Sequence, residues 1–282
     1  MNKRLANSFT FSVLILATLC IAGLLITDSQ AQDLGKKLPL EGETILLDGS
    51  VAFIIPVEEQ PQSAVGQAQR MVKPWVWYAP TLPNLPGSEE RWMFERFVKA
   101  GVAIAGIDAG ESYGSPRGNR VFDRLYAEMI RRGYAEKPIL LGRSRGGLQT
   151  LSWAAEHPDQ VGGWAGIYPV CNLESYPGLD RAAGAYGLTA QQLKDRLIEF
   201  NPIDRMSKLA AARVPLFAIH GDVDKVVPLE VNSGLLKEVY NRASGPEMEL
   251  IVPSGQGHNM WEGFFRCNQL VNFVINHAKA DK

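Results

Sequence analysis

Apolar residues fall into short runs separated by stretches of helical spacing. Thr44 to Leu47 and Val51 to Ile55 flank Asp48-Gly49-Ser50, a glycine-containing turn that reads as a hairpin. Strand-like runs follow at Trp75 to Tyr78, Val102 to Ile107, Pro138 to Leu141, Gly162 to Tyr168, Pro215 to Ile219 and Met248 to Val252. Helical patterns fill the gaps. One covers Glu89 to Lys99, opening after Ser88 as N-cap with Glu89 and Glu90 in its first turn. Phe122, Leu125, Met129 and Ile130 mark another, and Leu148 to Glu156, Val231 to Tyr240 and Phe264 to Ala278 complete the set. An antiparallel start followed by strand-helix repeats predicts a single α/β domain. Its sheet is mostly parallel, of about eight strands, with helices on both faces.

Residues 172 to 212 interrupt this alternation. They hold Tyr176-Pro177-Gly178, a helix pattern from Ala190 to Glu199 opening at Thr189, and Asn201-Pro202. Ligands of open α/β sheets bind beyond the carboxyl ends of the strands. The segment therefore reads as a small lid that shapes the substrate pocket. Gln60 to Met71 is loose and polar and reads as a loop between early strands.

The first 31 residues read as a signal peptide. Lys3 and Arg4 precede an apolar run from Val13 to Ile26, and Ser29 and Ala31 suit cleavage after Ala31. An uncleaved anchor is the alternative, but the run is short against the roughly 20 residues a bilayer needs. Residues 32 to 282 then form the domain, secreted or periplasmic. Cleavage takes away Lys3, Arg4 and Asp28 and leaves 27 basic and 29 acidic residues. That balance gives no electrostatic case for nucleic acid or for stable membrane association. The remaining cysteines, Cys171 and Cys267, meet an oxidising compartment and can pair; two buried free thiols are the other reading. No cofactor or metal is expected, and the oligomeric state is left open.

The candidate chemistry sits at strand ends. Gly142-Arg143-Ser144-Arg145-Gly146 matches G-x-S-x-G, after one strand and before a helix. A serine hydroxyl is a weak nucleophile until a base takes its proton. The base expected is His258, in the loop Gly255-Gln256-Gly257-His258 after the last strand. His157 and His277 lie at or in helices, and His220 ends a strand. The run His220-Gly221-Asp222-Val223-Asp224-Lys225-Val226-Val227-Pro228 supplies two aspartates at a strand end, either of which can orient the imidazole. The order Ser, Asp, His is that of the α/β-hydrolases.

With these pieces the chain resembles the α/β-hydrolase superfamily. It looks close to the prolyl-oligopeptidase-like and dienelactone-hydrolase-like esterases common in bacterial polysaccharide degradation. The resemblance selects Asp224 as the acid and leaves Asp222 to accept backbone N–H groups. It also implies two oxyanion donors. One is the backbone N–H of Arg145. The other is Thr81 or Leu82, in Ala79-Pro80-Thr81-Leu82-Pro83, where many relatives carry His-Gly. Ser144-Arg145 at such an elbow is similar to the glucuronoyl esterases. Arg143 or Arg145 can bind a substrate carboxylate or support the oxyanion, the alternative being an ion pair with Asp108 or Glu111. Tyr113 and Trp261 are candidates to line the pocket, Trp261 by stacking on a sugar ring, with packing as the alternative for both.

The expected function is a secreted serine hydrolase that cleaves carboxylic esters through an acyl-enzyme, on a carbohydrate-linked substrate. A serine peptidase of the prolyl-oligopeptidase type is the second reading, weakened by the lack of an N-terminal propeller to gate peptides. A binding protein on an inactive hydrolase fold is the third.

Overall fold

The computed structural model describes residues 35–57 and 72–280. The leader expected over residues 1–31 and the loop expected over Gln60 to Met71 lie outside the described residues. Each of the eight apolar runs forms a strand: β1 Glu43–Leu47, β2 Ser50–Ile55, β3 Trp75–Ala79, β4 Ala103–Ile107, β5 Ile139–Arg143, β6 Gly163–Ile167, β7 Leu216–Ile219 and β8 Glu249–Ile251. They make one sheet in the order β1-β2-β4-β3-β5-β6-β7-β8. The β1–β2 and β2–β4 pairs are antiparallel, and from β4 through β8 every pair is parallel. The carboxyl ends of β5, β6, β7 and β8 thus sit side by side, and the loops after β5, β7 and β8 carry the candidate chemistry.

Ten helices are present among the described residues: α1 Arg91–Lys99, α2 Pro116–Arg131, α3 Gly146–Glu156, α4 Leu179–Tyr186, α5 Ala190–Asp195, α6 Leu197–Phe200, α7 Met206–Ala211, α8 Ser233–Arg242, α9 Glu262–Phe265 and α10 Asn268–Ala278. The apolar stripes of α2, α3, α7 and α8 pack on one face, with Phe122, Leu151, Leu209 and Leu236 against Trp77 and Ala105. On the other face α1, α9 and α10 bring Phe94, Phe97, Phe264 and Val274 against Tyr78, Ile104 and Ile167. Burial on both faces explains why the central strands are apolar at every position but the last of β5, Arg143.

Several element boundaries differ from the sequence expectation, each for a local reason. Ser88 does not cap α1. Residues Ser88–Glu90 form a 3-10 turn, and the Glu90 carboxylate reaches back to the Gly87 N–H at 2.8 Å. The helix expected over Ala190 to Glu199 breaks at Arg196 into α5 and α6, although Thr189 does cap it, accepting the Gln192 N–H at 3.2 Å. The helix expected over Phe264 to Ala278 breaks at Cys267, whose Sγ accepts the Leu270 N–H at 3.4 Å and starts α10.

The insertion is shorter than 172 to 212. Met206, Leu209 and Ala210 of α7 belong to the helical layer on the sheet, so the added part ends before α7. It packs Leu173, Ala182, Ala183 and Leu193 against Leu148, Val170 and Val227. Cys171 and Cys267 are both free thiols. They lie in opposite layers of the core, Cys171 among the α2–α3 side and Cys267 on the α1–α10 side, so the sheet separates them.

Candidate active site

β5 ends at Arg143, and the backbone turns at Ser144 with a left-handed φ of 51° before α3 begins. Such a φ is uncommon for a residue with a side chain and marks a strained turn held by its surroundings. Those surroundings are close. The Ser144 N–H donates to the Ile167 carbonyl at 2.9 Å, and the Ser144 carbonyl accepts from Gly147 at 2.9 Å and Val170 at 2.8 Å. A Cβ on Gly146 would stand 2.1 Å from the Ala79 carbonyl oxygen, and one on Gly147 2.4 Å from that of Val170. The glycines after the serine are needed because neighbouring backbone already fills that space.

The structure brings Ser144, His258 and Asp224 together. Ser144 Oγ lies 2.9 Å from His258 Nε2. His258 Nδ1 lies 2.7 Å from Asp224 Oδ2. The other Asp224 oxygen accepts the Val226 N–H at 2.9 Å and the Val227 N–H at 2.8 Å. Burial alone would raise the Asp224 pKa, but hydrogen bonds from His220, His258 and Val227 outweigh it and hold the carboxyl well below its usual range. An ionised Asp224 keeps the imidazole proton on Nδ1 and leaves Nε2 free to accept the serine proton. Asp222 accepts a backbone N–H, but from Gly255 in the histidine loop, at 2.6 Å. With Val223 N–H to Gln256 carbonyl at 3.0 Å, this ties the acid loop to the histidine loop.

Four groups here were not singled out from the sequence. Fully buried His220 sits beneath the acid, with Nε2 2.8 Å from the Val227 carbonyl and 3.3 Å from Asp224 Oδ2, and Nδ1 2.8 Å from Ser233 Oγ. Its place at a strand end, four residues before Asp224, was the available signal. Glu90, fully buried at the start of α1, accepts Tyr78 Oη at 2.7 Å and Arg143 Nη1 at 2.6 Å. Tyr168 follows β6 with φ 33°, and its ring packs on His258. The Tyr168 position beside the end of β5 could have been found from strand order. Met260 Sδ lies 3.0 Å from Arg143 Nη2.

Other expected residues are placed differently. Arg143 pairs with neither Asp108 nor Glu111 but with Glu90, because its side chain leaves β5 on the α1 face. Burial works against the Arg143 charge, but Tyr78, Glu90 and Tyr168 outweigh it and raise its pKa. Burial also pushes Tyr168 up to about 12, with Arg143 opposing. Glu111 instead pairs with Arg145, while Asp108 accepts the Gly110 N–H at 2.7 Å.

A cavity of about 190 Å³ opens at Ser144. Arg143, Arg145, Tyr168 and His258 line it, with Pro80 and Leu85 on one side and Asn259 and Met260 on another. The insertion contributes none of its walls among the described residues, which corrects the expected lid. Thr81 is not on the wall either. It is buried with its hydroxyl donating to the Tyr78 carbonyl at 3.2 Å, packed under Gly106. From that segment it is Pro80, which has no N–H, that lines the cavity. Tyr113, with a φ of 48°, is not on the wall and packs beside the insertion, its carbonyl accepting Tyr186 Oη at 2.8 Å. Trp261 packs edge-on against Phe264 at 5.3 Å, over Gly263, and lies off the Ser144 cavity.

Residues 124–279 match the model of the prolyl oligopeptidase family. No curated protein matches the chain. Among solved structures it is similar to dipeptidyl peptidase 4 of Porphyromonas gingivalis, with TM-score 0.63 and 16% identity over 84% of this chain and 35% of that one. It is similar to Est1E from Butyrivibrio proteoclasticus, with TM-score 0.62 and 16% identity over 86% of this chain and 100% of that one. It is also similar to MPT51 of Mycobacterium tuberculosis, with TM-score 0.65 and 12% identity over 85% and 100%. The chain therefore spans about a third of the peptidase and the whole of the other two. These likenesses show the α/β-hydrolase fold.

Proposed function

Because the chain belongs to the prolyl oligopeptidase family of serine hydrolases, we propose that it is an exported carboxylic-ester hydrolase acting on carbohydrate-linked esters. The observation that carries this is the continuous relay from Ser144 Oγ through His258 to Asp224, at 2.9 and 2.7 Å. His258 Nε2 takes the serine proton as Oγ bonds to the ester carbonyl carbon. The C–O bond to the alcohol then breaks, and His258 returns the proton to the leaving oxygen. Water, deprotonated by the same imidazole, attacks the acyl-enzyme and frees Ser144. The Arg145 N–H lies at the amino end of α3, where helix N–H groups lack partners, and serves the tetrahedral oxyanion.

Esters are favoured over peptides by the charge of the site. Among the described residues the wall of the Ser144 cavity itself carries two arginines and no carboxylate, and the carboxylates that pair with them, Glu90 and Glu111, stand behind the wall, so no acidic side chain on it is placed to receive a peptide ammonium. Peptide cleavage is the second reading, favoured by the family and by the likeness to dipeptidyl peptidase 4. Purified protein is to be assayed on p-nitrophenyl acetate, acetylated xylan, a glucuronate ester and a prolyl nitroanilide. Turnover of the esters alone supports the proposal, and turnover of the anilide transfers it to the peptidase. No turnover, together with no fluorophosphonate label on Ser144, leaves an inactive fold. Export is checked by the amino-terminal residue of the protein recovered outside the cytoplasm, expected to be Gln32.

A further inference from the structure

We propose that a second cavity, sharing Met260 with the one at Ser144, is a subsite for a neutral sugar ring of the ester's alcohol. This rests on the ester-hydrolase reading above. The second cavity holds about 260 Å³. One water takes about 30 Å³ of liquid, so there is room for a group the size of one ring.

The lining decides what kind of ring. Trp92, Met260 and Phe265 supply apolar surface. The Arg96 guanidinium lies 3.3 Å from the centre of the Trp92 ring and covers one face, so a ligand meets the indole on what remains. Carboxylates and guanidiniums share the rim. Arg91 and Glu95 approach at 3.8 Å and Arg266 and Glu262 at 3.1 Å, while Glu89 adds a third carboxylate. An anion meets three carboxylates there, and a cation meets two guanidiniums. An alkyl chain would strip water from all five charged groups without pairing them. A sugar fits both parts: its C–H face lies on the indole, and its hydroxyls donate to carboxylates and accept from guanidiniums.

The two cavities are adjacent. Met260 lines both, and Arg143, on the wall at Ser144, lies 5.0 Å from the ring of Phe265 in the second. A substrate whose carbonyl sits at Ser144 can extend past Met260 onto Trp92. The excess of carboxylates on the rim further favours a neutral sugar over a uronate.

The test compares kcat/KM on an acetylated xylo-oligosaccharide with kcat/KM on p-nitrophenyl acetate. Trp92→Ala is expected to lower that ratio about tenfold, chiefly by raising KM for the oligosaccharide. Glu95→Leu, at an exposed side chain that is no risk to folding, is expected to lower it about threefold. A ratio within twofold of the parent in both variants overturns the subsite while leaving the ester reading intact. A parent enzyme that turns over p-nitrophenyl acetate but not the oligosaccharide overturns the subsite and the carbohydrate part of the proposed function, and leaves ester hydrolysis standing. A parent that hydrolyses neither ester overturns the ester reading, and the subsite with it.

Discussion

The ring of Tyr168 lies 4.5 Å from the imidazole of His258, inclined at 57°. Its hydroxyl is held 3.1 Å from Arg143 Nε, and Arg143 is in turn held by buried Glu90. Tyr168, the first residue after β6, and Arg143, the residue before Ser144 on neighbouring β5, therefore brace the His258 imidazole. Glu90 is the anchor of this chain of contacts, since it also receives Tyr78 Oη and the Gly87 N–H.

Arg143→Met is expected to destabilise the protein by about 3–5 kcal/mol, because it leaves the Glu90 carboxylate buried without its cation. The double variant R143M/E90Q removes both charges and is expected to recover most of that loss. Urea unfolding of the two variants checks this. Equal losses in both would show that the ion pair is not what Arg143 contributes.

Asp224→Asn is expected to lower kcat by about ten-thousand-fold, since an amide can present its NH₂ to Nδ1 and put the imidazole proton on the wrong nitrogen. KM on p-nitrophenyl acetate should move little. Steady-state kinetics tests it, and a tenfold loss or less would assign the orienting carboxylate elsewhere.

The depressed Asp224 pKa carries a consequence for acid stability. An unfolded aspartate titrates near about 3.9. The folded carboxyl titrates lower, so its contribution is fully present above the unfolded value and is lost as pH falls toward the folded one. The D224N protein should lose less stability than the parent between about pH 5 and pH 2. Urea midpoints at the two pH values measure the difference, and parallel losses would contradict it.

Gly146→Ala places a methyl group where the Ala79 carbonyl oxygen already lies, 2.1 Å from the new Cβ. Backbone must shift, at a cost of about 3 kcal/mol or more. The same shift moves the Ser144 turn. Fluorophosphonate labelling of Ser144 should slow by at least about a hundredfold, since small misplacements at a reacting centre are costly. Labelling at the parent rate would show that the elbow tolerates a side chain.

Local chemistry made much of the fold legible. The inner strands β3 to β7 were readable as apolar runs because both their faces are buried, while the half-exposed edge strands β1 and β8 were readable from shorter apolar runs. The serine elbow was readable because its glycines answer a local steric need. The helix breaks at Arg196 and Cys267 were not, since helical periodicity continues through both positions.

By itself, the sequence determined the strands, their order of chemistry along the chain and the serine, aspartate and histidine that meet at one edge. The tertiary structure decided which way the remaining side chains face. Arg143 finds Glu90, 53 residues away, rather than an acid closer in the chain. Thr81, Tyr113 and Trp261 turn from the Ser144 cavity, and Cys171 and Cys267 fall on opposite sides of the sheet. Spacing along a chain sets which face of an element a residue occupies, but only the packing of one layer on another sets what that face meets.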